Sequence, residues 1–159
     1  MSSLIRSVNG SRKSPYHDLS ESEIESLKKD ILSIDADLNI FVFNDDRANG
    51  TSYLDDIDVI VVRGNVLPDT SSGSAHPRDI MSARAVLAHE YYGHRKHRHT
   101  DLEPGDLEDE YRASRTAAEI TPGLTTEERR HLVLDAMERK REMGVIPELD
   151  DFMRRILHE

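Results

Sequence analysis

The sequence predicts an α+β fold in which a small β-sheet packs on a central helix that is followed by three further helices. Two short β-branched and aromatic runs, "NIFVF" (39–43) and "IDVIVV" (57–62), are separated by the turn-rich "NDDRANG" and read as strands. Helix-start signals occur on both sides of them, at Ser20, Pro77, Asp106, Thr125 and Pro147. No internal repeat interrupts this order, and 159 residues suit one domain of ordinary size.

The elements follow in order. Residues 1–19 are polar and aperiodic, so they are expected to form a flexible arm, with residues 20–159 as the single domain. Ser20 and Glu23 make a capping box, and Ile24, Leu27, Ile31, Leu32 and Ile34 supply an apolar stripe for a helix over about 21–34. After the two strands, "RGNVLPDTSSGSAHP" has loop composition, and Pro77 suits the first turn of a helix running through "IMSARAVLA" to about His97. "DLEPGD" is a loop. Asp106 and Asp109 then give a cap and an acidic first turn to a helix over about 107–119, which "TPGL" ends. Thr125 and Glu128 form a second capping box for a helix reaching Met143, where Gly144 stops it. Pro147 opens a last helix with Leu149, Phe152, Met153, Ile156 and Leu157 on its apolar face.

Composition narrows the function. The formal net charge is −10, and both halves of the chain are acidic, which disfavours a nucleic-acid partner because phosphate neutralisation supplies most of such affinity. The one basic cluster, Arg95 to His99, reads as a helix C-terminus set against its own dipole. There are no cysteines, so a metal would have to be held by His, Asp or Glu. No secretory h-region or membrane-length apolar run occurs, so the expectation is a soluble, cytoplasmic protein with no membrane partner. Delivery to another cell by a non-classical route is left open.

The chemistry-bearing stretch is "LAHEYYGHRKHRH" (87–99), in which His89 and Glu90 are followed by His94. On a regular α-helix, residues five apart are separated by about 140° around the axis, so the two imidazoles would miss a shared ion. A single-turn π-bulge absorbs the extra residue, and Gly93 beside His94 eases the backbone it requires. Glu90 would then stand beside the ion as a general base, its role in H-E-x-x-H helices. A third ligand is expected from the following helix, where "LEDEYRAS" offers Glu108, Asp109 and Glu110. His97 and His99 are expected to be solvated, and Tyr91 and Tyr92 to pack against the sheet.

"HEYYGH" followed by "DEYRAS" resembles the paired motifs of the dipeptidyl-peptidase III family of zincin metallopeptidases, H-E-x-x-G-H and E-E-C-R-A-D/E. The resemblance covers about a dozen residues. It implies a zincin-like fold around a metal-binding active-site helix, one Zn²⁺ per chain, His89, His94 and Glu110 as its ligands, and Glu90 as the base. The chain is much shorter than that family's two-lobed enzymes, so the resemblance extends to the site type and not to dipeptidyl specificity. Asp109 replaces the first glutamate of the second motif. Ser114 stands where the family has an acid that holds the ring N–H of a ligand histidine, so Asp109 and Ser114 are the expected outer-shell residues. In size and layout the chain also resembles small zincin-like domains found as bacterial toxins or mobile-element proteins.

An amide-cleaving zincin needs a donor for the developing oxyanion. The candidates are Tyr53, His76, Tyr111, Arg112 and His131; His131 is taken as a second catalytic residue, and Tyr53 and Arg112 as substrate-binding ones. The expected function is zinc-dependent hydrolysis of peptide bonds, with a peptide or protein substrate pairing along an edge strand such as 57–62. An inhibitory protein partner is left open. The alternative is a non-catalytic zinc-binding interaction module, which the uncharged Ser114 favours; a metal-dependent nuclease is disfavoured by the charge.

Overall fold

The computed structural model describes residues 12–69, 76–98 and 106–158. Among these, six α-helices surround a three-stranded mixed sheet, which is the predicted α+β class. Helix α1 (Glu21–Ser33) begins at the expected capping box: the Ser20 side chain accepts the Glu23 amide and the Glu23 carboxylate accepts the Ser20 amide. Its Leu27 and Ile31, with the following Ile34, are fully enclosed by the core.

The sheet has one strand more than expected. Strand β1 (Phe41–Phe43) is shorter than "NIFVF" because Leu38–Ile40 form a 3₁₀ turn capped by Asp37. Strand β2 (Ser52–Leu54) lies between the turn-rich segment and the second expected strand, where the sequence predicts no element, and β3 (Val59–Val62) pairs with both neighbours, parallel to β1 and antiparallel to β2. The order β1-β3-β2 makes β3 the central strand. This corrects the expectation that 57–62 is an edge on which a peptide could pair, since both of its sides are already hydrogen-bonded.

The central helix is segmented. Helix α2 (Pro77–Ile80) opens with proline as anticipated but stops at Met81, whose backbone is extended. Ser82 then caps a new helix, α3 (Ala83–Ala88), by accepting the Ala85 amide. α3 continues into a π-helix over His89–His94 and a 3₁₀ turn over Arg95–His97. This composite rod lies between the sheet, where Tyr91 stacks on Phe41 of β1, and α4 (Leu107–Ile120).

Helix α5 (Thr126–Glu142) starts at the second capping box and packs along α4. Gly144, with φ 77°, turns the chain out of it, and the Val145 amide reaches back to the Lys140 carbonyl. The last helix, α6 (Asp151–His158), begins four residues later than Pro147 suggested, because Asp150 caps it by accepting the Met153 amide. Leu149 still packs on the core from the preceding loop.

The arm is not loose where it is described. Arg12 bridges to Pro68, and its guanidinium donates to the carbonyls of Asn65 and Val66 on one side and of Arg78, Asp79 and Met81 on the other. Residues 1–11 of the expected arm lie outside the described residues. No helix among the described residues is long and apolar enough to cross a membrane.

The α1 cap yields a pH-dependent prediction. The hydrogen bond from the Ser20 amide, with His17 beside it, lowers the Glu23 pKa to about 2. A depressed carboxylate stabilises the fold fully above its ordinary range and loses that contribution as pH falls from about 4.5 toward 2. Glu23→Gln should therefore lower stability by about 0.5 kcal/mol at pH 7, with the difference vanishing near pH 2 in thermal unfolding followed by circular dichroism.

Candidate metal centre

The spacing problem posed by His89 and His94 is resolved by the backbone. The helix is π-helical over His89–His94, the six residues of "HEYYGH", so the residue five positions on comes to lie above the first. The two imidazoles are 4.6 Å apart between centroids and nearly perpendicular, at 84°. Gly93 serves this arrangement differently from the way its sequence position suggested. A Cβ there would stand 2.5 Å from the Ala113 carbonyl oxygen, so glycine is needed for α4 to approach the π-helix rather than for backbone freedom.

That approach delivers one turn and a half of α4 to the histidines. The Glu110 carboxylate spans both rings, with Oε1 2.9 Å from His89 Nε2 and Oε2 3.1 Å from His94 Nε2. Asp109 places Oδ2 3.1 Å from His94 Nδ1 and takes Arg112 on Oδ1. Ser114 Oγ is 2.8 Å from His89 Nδ1. Glu108, the third acid of the segment, turns outward to Lys140. Each imidazole thus presents Nδ1 to an outer partner and Nε2 to Glu110.

A carboxylate oxygen at 2.9 Å from an imidazole nitrogen requires an N–H on that nitrogen or a metal ion held between the two. Burial alone would lower the His94 pKa, but hydrogen bonds to Asp109 and Glu110 hold it well above its ordinary value. Burial would raise Glu110, and the two histidines hold it well below. His89, Glu90 and His94 offer ligand atoms within 4.8 Å of one another, as do His94, Asp109 and Glu110. Two imidazoles with carboxylates and no thiolate form a donor set that fits a divalent ion such as zinc.

Glu90 is buried on the sheet side of the rings. Desolvation raises its pKa, opposed by His94 and His89. Its Oε1 accepts the amide of Tyr53, 3.1 Å away in β2, so the sheet edge aims the carboxylate. The Tyr53 hydroxyl donates to Asp58, which also receives Arg95 at 2.8 Å, and desolvation with that bond raises the phenol pKa.

The remaining candidates separate clearly. Arg112 pairs with Asp109, and His76 caps α2 by accepting the Arg78 amide. The Tyr111 ring carries Lys140 over it. His131 lies on α5 with Glu127 3.9 Å away, and no contact among those described brings it to the histidine pair. His97 bonds the Gly93 carbonyl of its own helix, and His99 lies outside the described residues. Tyr91 packs on the sheet as expected, whereas the Tyr92 hydroxyl donates to carbonyls at the end of α1.

The sequence reading missed Asp135. This α5 residue is 1% exposed and accepts Ser114 Oγ at 2.6 Å, while Arg78 and Arg139 reach it at 3.0 and 3.4 Å. Burial would raise its pKa, yet the two guanidinium groups hold it below the ordinary value. A lone acid in the otherwise apolar "LVLDAM" is the signal that could have found it.

Comparison of the chain with protein-family models, with curated proteins and with solved structures gave no match.

Two measurements test this geometry. Elemental analysis of purified protein should find one divalent metal per chain, lost in His94→Ala and in Glu110→Ala; metal content indifferent to both would show that the cluster is an ion pair alone. Gly93→Ala forces backbone apart and should cost about 1–3 kcal/mol in chemical unfolding, with a matching fall in bound metal.

Proposed function

We propose that the chain is a small zincin-type metallopeptidase that hydrolyses peptide bonds with one Zn²⁺ held by His89, His94 and Glu110. The observation that carries this reading is the single Glu110 carboxylate lying against the Nε2 atoms of both π-helix histidines, with buried Glu90 beside them. Bound there, zinc would polarise a substrate carbonyl and make water acidic enough to lose a proton near neutral pH.

The side chains divide the remaining work. Glu90, aimed by the Tyr53 amide, takes a proton from the attacking water as the water oxygen bonds to the carbonyl carbon. It returns that proton to the leaving nitrogen as the C–N bond breaks. Asp109 orients His94 and Ser114 orients His89, each through Nδ1. Since β2 is the sheet edge nearest the π-helix, an extended substrate would add to β2 and pass over Glu90. The net charge of −10 suits basic or unfolded peptides. The oxyanion is given no donor: His131 is not among the groups around the histidines, and Arg112 and the Tyr53 hydroxyl are engaged by Asp109 and Asp58.

Glu90→Gln tests the assignment. The amide oxygen can still accept from Tyr53, so zinc content should match wild type while hydrolysis of a peptide library falls by about 10²–10⁴-fold. Cleavage by the variant at the wild-type rate would remove Glu90 as base and with it the zincin mechanism.

One observation favours a second reading, a non-catalytic zinc-binding module. His94, Asp109 and Glu110 are themselves close enough to share an ion, and a site that takes Asp109 as an additional ligand would be closed, as structural sites are. Cobalt substitution separates the two. An open site should change its absorption spectrum when azide or a hydroxamate is added, and a closed one should not.

A further inference from the structure

We propose that Asp135, acting through the Ser114 hydroxyl, is a positioning residue that fixes the proton of His89 on Nδ1 and leaves the Nε2 lone pair facing the ion. The proposal rests on the reading of His89 as a metal ligand, and it follows from counting donors along one chain of contacts. Asp135 is enclosed and ionised between Arg78, at 3.0 Å, and Arg139, at 3.4 Å, so it can only accept. Ser114 has one hydroxyl proton, and the 2.6 Å contact commits it to Asp135 Oδ2. Ser114 Oγ then has only lone pairs for His89 Nδ1 at 2.8 Å, so that nitrogen must be the donor. Neutral imidazole carries one N–H, and its other nitrogen becomes the ligand atom.

This chain of contacts accounts for the serine at position 114. An acid there would touch His89 directly. Here the negative charge sits on α5, a separate helix, and reaches the imidazole through a hydroxyl that is itself fully buried. The charge is anchored from two directions: Arg78 comes from α2, just ahead of the motif helix, and Arg139 lies one turn along α5. Arg139 also approaches Glu110, at 3.6 Å, so the same guanidinium steadies the acid behind His89 and the carboxylate in front of it. His94 has a direct acid on Nδ1, Asp109, and His89 has a relayed one.

The test uses the full chain with Ser114→Ala, Ser114→Thr and Asp135→Asn, read in two ways. In metal-free wild type, nitrogen-resolved NMR should show a slowly exchanging His89 Nδ1–H signal, lost in Ser114→Ala and shifted in Asp135→Asn. Zinc affinity, measured by chelator competition, should weaken about 10–100-fold in Ser114→Ala and in Asp135→Asn, and Ser114→Thr should restore it. Because the two residues act in series, the double variant should be no worse than the weaker single one, where independent structural damage would add. If Asp135→Asn does not fold, Ser114→Ala still decides, since it leaves both arginine pairs of Asp135 in place. An unchanged His89 signal together with unchanged zinc affinity in Ser114→Ala overturns the proposal and leaves the peptidase reading standing. A signal that responds in a protein that binds no zinc upholds the relay and defeats the peptidase reading.

Discussion

Four carboxylates, Glu90, Asp109, Glu110 and Asp135, are gathered around two imidazoles in the interior, and satisfying that charge organises the molecule. Buried ion pairs seldom add net stability, because desolvation offsets most of their attraction. A cluster this dense is therefore a poor device for folding and a suitable one for holding a cation. Some of its partners lie one turn away on the same helix, Arg112 on α4 and Arg139 on α5, and others come from separate elements, Arg78 from α2 and a backbone amide from β2. Helices α4 and α5 and the short α2 each contribute a ligand-type group or a counter-charge that keeps one ionised.

The apolar core sets the stage for this polar centre without entering it. Leu27, Ile31, Ile60, Leu87, Leu132 and Met153 are enclosed and come from five helices and strands. The small residues Ala85, Ala88, Ala113 and Ala117 line the approach between the composite rod and its neighbours. Small side chains let backbones come close, and at Gly93 the approach reaches its limit against the Ala113 carbonyl. The polar centre is thus positioned by tight apolar contacts on either side of it.

Legibility in the sequence followed how local each determinant was. Both capping boxes mark real helix starts, because Ser20 with Glu23 and Thr125 with Glu128 satisfy one another within a single turn. The break at Met81 and the start of α6 escaped because their caps, Ser82 and Asp150, follow within a few residues of prolines that gave louder signals. Strand β2 escaped because "SYL" has no pattern of its own and is defined by register with β3. At the site, His89, Glu90, His94 and Glu110 were legible as spacing on two successive helices, and the structure brings them together. Asp135 was not, since it meets Ser114 across 21 residues and Arg78 across 57, separations over which only the folded packing decides.

The π-helix has an effect beyond the pair it aligns. One inserted residue advances everything after it by about 100° around the axis relative to an unbroken α-helix. Arg95 therefore faces outward along a line that its predecessor would otherwise hold, and it arrives on Asp58, in the turn between β2 and β3, and over the Tyr91 ring. Asp58 is one of three non-glycine residues among those described with a left-handed backbone, φ 53°, which turns its carboxylate toward both Arg95 and Tyr53. The extra residue thus acts as a phase shift between the two ends of the helix. Its N-terminal half is in step with the core, its C-terminal half is in step with the rim of the sheet, and deleting one residue would dock one half only by undocking the other.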